Sequence, residues 1–202
     1  MKERPILFSG PMVRAILEGR KTQTRRVVKF LSVNSHPWRF LEMSLGCALF
    51  ERANRIISGY EVVTEGNQIK CPYGQVGDRL WVRETFVEYP PLFPTDRHGE
   101  IHYHADDAHD CVRPWGGLNW RPAIFMPRWA SRITLEITDV RVQGLQEISN
   151  TDAICEGIAC TDFSEHRPAD AFHLLWDSIN CKTYSWSANP WVWALTFKVV
   201  KP

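Results

Sequence analysis

The sequence predicts an α+β fold, a mixed sheet or small barrel flanked by short helices. Three observations predict it. Segments 79–86, 132–142 and 191–200 carry strand-like apolar runs or period-two alternation, and only two or three short stretches follow the helical period. Those helices and strands follow no regular βαβ alternation, so a doubly wound parallel sheet is not expected.

Taken in order, Pro5 to Phe8 is a short apolar run, and Ser9-Gly10-Pro11 supplies a cap and a proline for the first helical turn. Met12, Val13, Ile16 and Leu17 share one helical face, and Gly19 is placed to end that helix. The β-branched residues after it suit a strand from about Thr22. Residues 31–75 are weakly patterned, with a strand candidate at 56–63 and a turn at Pro72-Tyr73-Gly74. Along 79–86, Leu80, Val82, Glu84 and Phe86 fall on one face and Arg79, Trp81, Arg83 and Thr85 on the other. A carboxylate on that apolar face needs a partner or a shifted pKa. The Pro-, Gly-, His- and Asp-rich stretch 88–130 reads as a long insertion. Ser149 caps a short helix ending near Glu156-Gly157, and Pro168 opens another, with Phe172, Leu175, Trp176 and Ile179 on one face.

The 202 residues are expected to form a single domain, with insertions at 31–75 and 88–130. With 44% hydrophobic and 23% charged residues, wholesale disorder is excluded. No stretch approaches the roughly 20 apolar residues of a membrane span, and the first ten residues lack a signal-peptide core, so a cytoplasmic protein without membrane contact is expected. Six scattered cysteines form no C-x-x-C pair, which argues against zinc ribbons and favours buried free thiols. The net charge of +1 conceals an asymmetry: residues 1–30 hold eight basic and two acidic groups, leaving −5 for the remainder. Such a block is either a footprint for an anionic partner or a solvated basic face.

Nucleotide-binding glycine loops, H-E-x-x-H and G-x-S-x-G are absent. His102, His104, Asp106, Asp107, His109 and Cys111 cluster in sequence, but inside the expected surface insertion, and no metal or other cofactor is assigned to them. The corner G-R-K-T-Q-T-R-R (19–26) carries more information. A lysine three residues before a threonine, if partly desolvated, can lose its proton and act as base towards a hydroxyl. A nearby carboxylate could hold that lysine or shuttle a proton. A basic strand start with solvated charges is the alternative.

Residues 19–26 resemble the signature of the ASCH domain family, in which small N4-acetylcytidine amidohydrolases show a similar G-R-K-T-x-T-x-R element. Gly77 to Val82 is similar to the family's G-D-x-L-x-V segment, and 148–158 to its helix with a terminal glutamate. The segments W-V-R-E-T-F (81–86), M-P-R-W-A-S-R (126–132) and N-P-W-V-W (189–193) resemble the longer ASCH proteins of phages and prophages, a likeness spanning nearly the whole chain. The resemblance implies a PUA-like β-barrel and a triad of Lys21, Thr24 and Glu156. In it Lys21 would activate Thr24, Thr24 would attack an amide carbonyl, and Glu156 would assist proton transfer. Glu84 is the rival carboxylate.

The expected partner is RNA or a modified nucleoside, held by Arg20, Arg25, Arg26 and Arg83 and stacked on Trp81 within a Trp81, Trp129, Trp191 and Trp193 group. Core packing is the alternative for each tryptophan. Amidohydrolysis, a non-catalytic RNA- or modified-base-binding module and a metal-independent ribonuclease are the functions this reading carries forward.

Overall fold

The computed structural model describes residues 1–29, 38–44, 46–57, 60–89, 99–106, 119–158 and 167–200, with backbone only at 38, 52–57 and 60–67. Strands β1 (Glu3–Leu7), β2 (Gln23–Val27), β6 (Arg79–Arg83), β9 (Thr134–Gly144) and β10 (Trp191–Val200) form one five-stranded sheet in the order β1-β6-β9-β10-β2. The β1/β6 pair is parallel and the other three are antiparallel. Helices α1 (Gly10–Leu17), α2 (Asn150–Cys155) and α3 (Pro168–Asn180) complete the frame. The fold is therefore α+β with a mixed sheet, and the expected helix starts at Ser9, Ser149 and Pro168 lie where the chain turns helical.

Alternation along β10 divides its side chains between two cores. Trp193, Leu195 and Phe197 join Ile6, Leu80, Leu135 and Ile137 in the main core. Val192 joins Leu145, Ile148, Ala153, Phe172 and Trp176 beneath α2 and α3. Antiparallel register then fixes β2: Arg25 opposes Ala194 and Thr24 opposes Leu195, so neighbouring β2 residues face different sides of the sheet.

Two expectations about insertions change. The weakly patterned 31–75 region contains β3 (Trp38–Ser44), β4 (Cys47–Ile57) and β5 (Tyr60–Lys70), a three-stranded antiparallel sheet with the 56–63 candidate split between its last two strands. Ala48 and Phe50 are fully buried in the main core, where Phe40, Phe50 and Trp191 pack edge-on or tilted with centroids 5.6–5.9 Å apart. Phe40 and Met43 of β3 and Ile69 of β5 pack against the same core, so the sheet is part of the frame and not an appendage. Within 88–130, β7 (Phe86–Glu88) pairs with β8 (Ile101–Tyr103), and Met126 and Ala130 pack on Phe86. His109, Cys111 and the rest of 107–118 lie outside the described residues. Among those described, no group of three or more His, Cys, Asp and Glu is placed to hold a metal, and no helix is long and apolar enough to cross a membrane. The described cysteines are free, with Cys71 buried but Cys181 exposed, contrary to a uniformly buried set.

The strand expected over 79–86 breaks at Glu84-Thr85. Glu84 is 1% exposed and receives both Nε and Nη2 of Arg132 at 3.0 Å, while Arg132 also grips Asp106 and lies 3.9 Å from the Tyr103 ring. Burial pushes the Glu84 carboxyl up despite Arg132. This pair ties β6, β9 and the segment after β8 together. Arg132→Ala would leave a buried, unpaired carboxylate, so denaturant unfolding should show a loss of about 3–5 kcal/mol. Glu84→Gln retains a hydrogen-bonding side chain and should cost less than half as much; equal losses would contradict a charge penalty.

Candidate functional site

The two edges of the five-stranded sheet, β1 and β2, share no ladder among the described residues. Instead Arg26 of β2 donates its Nη2 to the carbonyl of Leu7 in β1. Both edges line one cavity of about 440 Å³, with α1 and α3 as further walls. That is within the roughly 300–1,000 Å³ usual for small-molecule sites.

Local sequence places the charged groups. Gly19, at φ 74°, turns the chain out of α1, and the amides of Arg20 and Lys21 both donate to Ala15 O. Lys21 therefore sits at the corner before β2, in an isolated antiparallel bridge with Glu156, while Thr22 N donates to Cys155 O. On the other side, Ser149 Oγ accepts from Asp152 N to start α2, and Glu156 is its C-cap. Gly157 follows at φ 89°, and a Cβ there would come within 3.0 Å of Lys21 Cβ. Only glycine lets the helix end this close to the lysine.

Lys21 is 2% exposed and donates from Nζ to Glu156 Oε2 at 2.7 Å and to the Glu156 carbonyl at 2.8 Å. The other carboxylate oxygen, Oε1, accepts from Arg25 Nη1 at 3.1 Å. Arg25 Nη2 lies 3.1 Å from Asp152 Oδ2. Burial lowers the Lys21 pKa, outweighing the opposing pull of Glu156, and the charges of Arg25 and Arg26 push the same way as burial. At Asp152 burial acts upward, but Arg25, Gln23 and Arg141 together hold the carboxyl below its usual value. Phe8, at the end of β1, has Lys21 Nζ 5.6 Å and the Arg26 guanidinium 5.3 Å from its ring centroid.

Lys21, Thr24 and Glu156, separated by up to 135 residues in sequence, thus border one hollow. Of the expected ligand-reading cations, Arg26 lines it, but the others do not serve as expected. Arg25 borders the cavity with a side chain 0% exposed and a guanidinium held by Glu156 and Asp152. Arg20 lies at the surface, bonded to Glu18 and the Gly157 carbonyl. Glu84, the rival carboxylate, is committed to Arg132 and does not line the cavity, nor do Trp81 and Arg83. Trp81 is 8% exposed, with the Arg83 and Arg128 guanidinium groups 4.6 and 6.0 Å from its ring. The tryptophans form no shared platform: Trp193 is core, Trp191 packs on Phe40 and Phe50, and Trp129 is 45% exposed.

Sequence reasoning missed Asp152 and the apolar wall. Asp152 was findable, since it precedes Glu156 by four residues on a helix and so shares its face. The α3 stripe was seen only as core, but all four of its residues line the cavity: Phe172 and Trp176 are buried at its base, whereas Ile179 is 65% exposed.

The Lys21 environment has a measurable sign. Its folded pKa lies below the ordinary 10.5, so between the two values the unfolded chain binds the extra proton and stability rises with pH. The stability difference between wild type and Lys21→Met should therefore grow in favour of wild type as pH is raised from neutrality towards 10.5 in denaturant titrations. A difference that is flat or falls would contradict a desolvated amine.

No protein-family model matches the chain, and no curated protein matches it. A search of solved structures finds the crystal structure of protein EF3133 from Enterococcus faecalis V583, of family DUF984, at 8% identity and TM-score 0.42, covering 99% of this chain and 81% of that one. A likeness at that level assigns neither fold nor function.

Proposed function

We propose that the chain is an ASCH-type protein whose cleft hydrolyses the amide of an acylated nucleoside such as N4-acetylcytidine. The observation that carries this reading is the convergence of Lys21, Thr24 and Glu156 on one cavity, with the amine buried against the carboxylate. The PUA-like barrel form of the fold belongs to the same reading, with the Arg26 side chain of β2 reaching the Leu7 carbonyl of β1 beside the cavity.

The chemistry follows from donor counting. A lysine ammonium has three N–H donors. Two are directed at Glu156 O and Oε2, so the neutral amine favoured by burial can keep both bonds and still offer its lone pair. That lone pair takes the Thr24 hydroxyl proton as Thr24 Oγ attacks the amide carbonyl carbon. Arg26 adds positive potential for the developing oxyanion. When the C–N bond breaks, the Lys21 ammonium returns the proton to the leaving amine. Water then attacks the acyl-Thr ester, giving up its proton to Lys21 with Glu156 assisting. The ester C–O bond breaks, Thr24 Oγ recovers a proton, and a carboxylic acid leaves.

A non-catalytic modified-base reader is the second reading, favoured by the apolar wall of Phe8, Phe172 and Trp176, which suits a planar ring. Chromatographic turnover assays separate the two. On the first reading, wild type converts N4-acetylcytidine to cytidine and acetate, and Lys21→Ala and Thr24→Ala each lose at least about 10²-fold in rate, the usual worth of a base or nucleophile. Intact nucleoside after prolonged incubation with concentrated protein removes this substrate; binding without turnover moves the case to the second reading.

A further inference from the structure

We propose that Arg25 is a positioning residue of this site, spanning Glu156 and Asp152 to orient the Glu156 carboxylate and to keep a fixed positive charge beside the Lys21 amine. This extends the reading of Lys21 as a base and goes beyond the triad.

The geometry leaves Arg25 little other use. Register with Ala194 turns it to the α2 side of the sheet, its side chain is 0% exposed, and its guanidinium lies 5.9 Å from the Phe172 ring. Asp152 and Glu156 are one helical turn apart, so both carboxylates reach the β2 side together. A planar guanidinium fork can touch both at 3.1 Å, which an ammonium cannot do with comparable geometry. With Oε1 occupied by Arg25, Glu156 meets Lys21 through Oε2. One carboxylate is thereby shared between two buried cations, and its orientation is fixed from both ends.

Charge reinforces the geometry. Lys21 is faced by Glu156 from α2, by Arg25 and Arg26 from β2 and by the Phe8 ring from β1. Asp152 balances Arg25 and is itself approached by Arg141 of β9 at 3.7 Å. Removing Arg25 takes a like charge away from the amine and frees Glu156 to serve Lys21 alone, and both changes favour the ammonium. Removing Asp152 leaves Arg25 unbalanced and acts in the opposite direction.

The test follows the Lys21 side-chain NMR signal of the full chain through a pH titration, assigned by its loss in Lys21→Met. Arg25→Gln should raise the Lys21 midpoint by about one unit, the lower end for a charge this near. Arg25→Lys, which retains the charge, should return it most of the way. Asp152→Asn should lower it. An unchanged midpoint in Arg25→Gln, or Arg25→Gln and Asp152→Asn moving it the same way, overturns the proposal, because general disruption of the site would give a common direction. If Arg25→Gln does not fold, Arg25→Lys and Asp152→Asn decide between the same outcomes. Where wild type turns over an amide, the pH–rate midpoint should move with the titration while KM changes little. Absence of turnover on every amide sinks the hydrolase reading, and the titration still decides the role of Arg25.

Discussion

An amine and a carboxylate, each at most 5% exposed and 2.7 Å apart, join the corner before β2 to the end of α2. Taking two such charges out of water costs several kcal/mol per ion unless every remaining donor and acceptor finds a partner. Much of that need is met here: Lys21 reaches a second acceptor in the Glu156 carbonyl, and Glu156 gains a second donor in Arg25. That satisfaction requires α2 to end where it does, β2 to begin where it does, and a glycine at 157 so that the two can touch. Much of the remaining architecture around the cleft follows from these requirements.

The sheet leaves its edges β1 and β2 without a ladder between them, a place where unpaired backbone groups would normally invite another strand. A side chain bridges the gap, with Arg26 on the Leu7 carbonyl, and the space left over becomes the cavity. A shortfall in backbone pairing therefore coincides with the candidate site. Its charged floor comes from β2 and α2, and its apolar wall from Phe8, α1 and α3. This combination suits a ligand with a flat or greasy part and a polar group to be oriented.

Much of this was legible in the amino-acid sequence, for reasons that can be named. Caps and prolines marked α1, α2 and α3 because orphan helix amides demand specific residues. The apolar stretch 191–200 marked β10. The Glu84 problem was visible as a carboxylate on an apolar face, and Arg132 is its answer. What stayed hidden depended on long-range geometry. Nothing local distinguishes Arg25, whose guanidinium is buried, from Arg20, which is at the surface, because strand register and the position of α2 decide it. Trp81 carries two guanidinium groups against its ring; period-two spacing places Arg83 beside it, but not Arg128 from 47 residues away. The sheet over 38–70 was legible only as the 56–63 candidate, because its pairing shifts register within both ladders and breaks a regular alternation.

Lys21 and Glu156 act as one energetic unit, and a double-mutant cycle measures that most directly. Denaturant unfolding of Lys21→Met, Glu156→Gln and the double variant should show that each single change costs about 3–5 kcal/mol, since each removes one partner of a buried ion pair. The double should cost well under their sum, giving a coupling of about 2 kcal/mol or more. Strictly additive losses would mean that the two groups are solvated apart, and the cleft described here would lose its foundation.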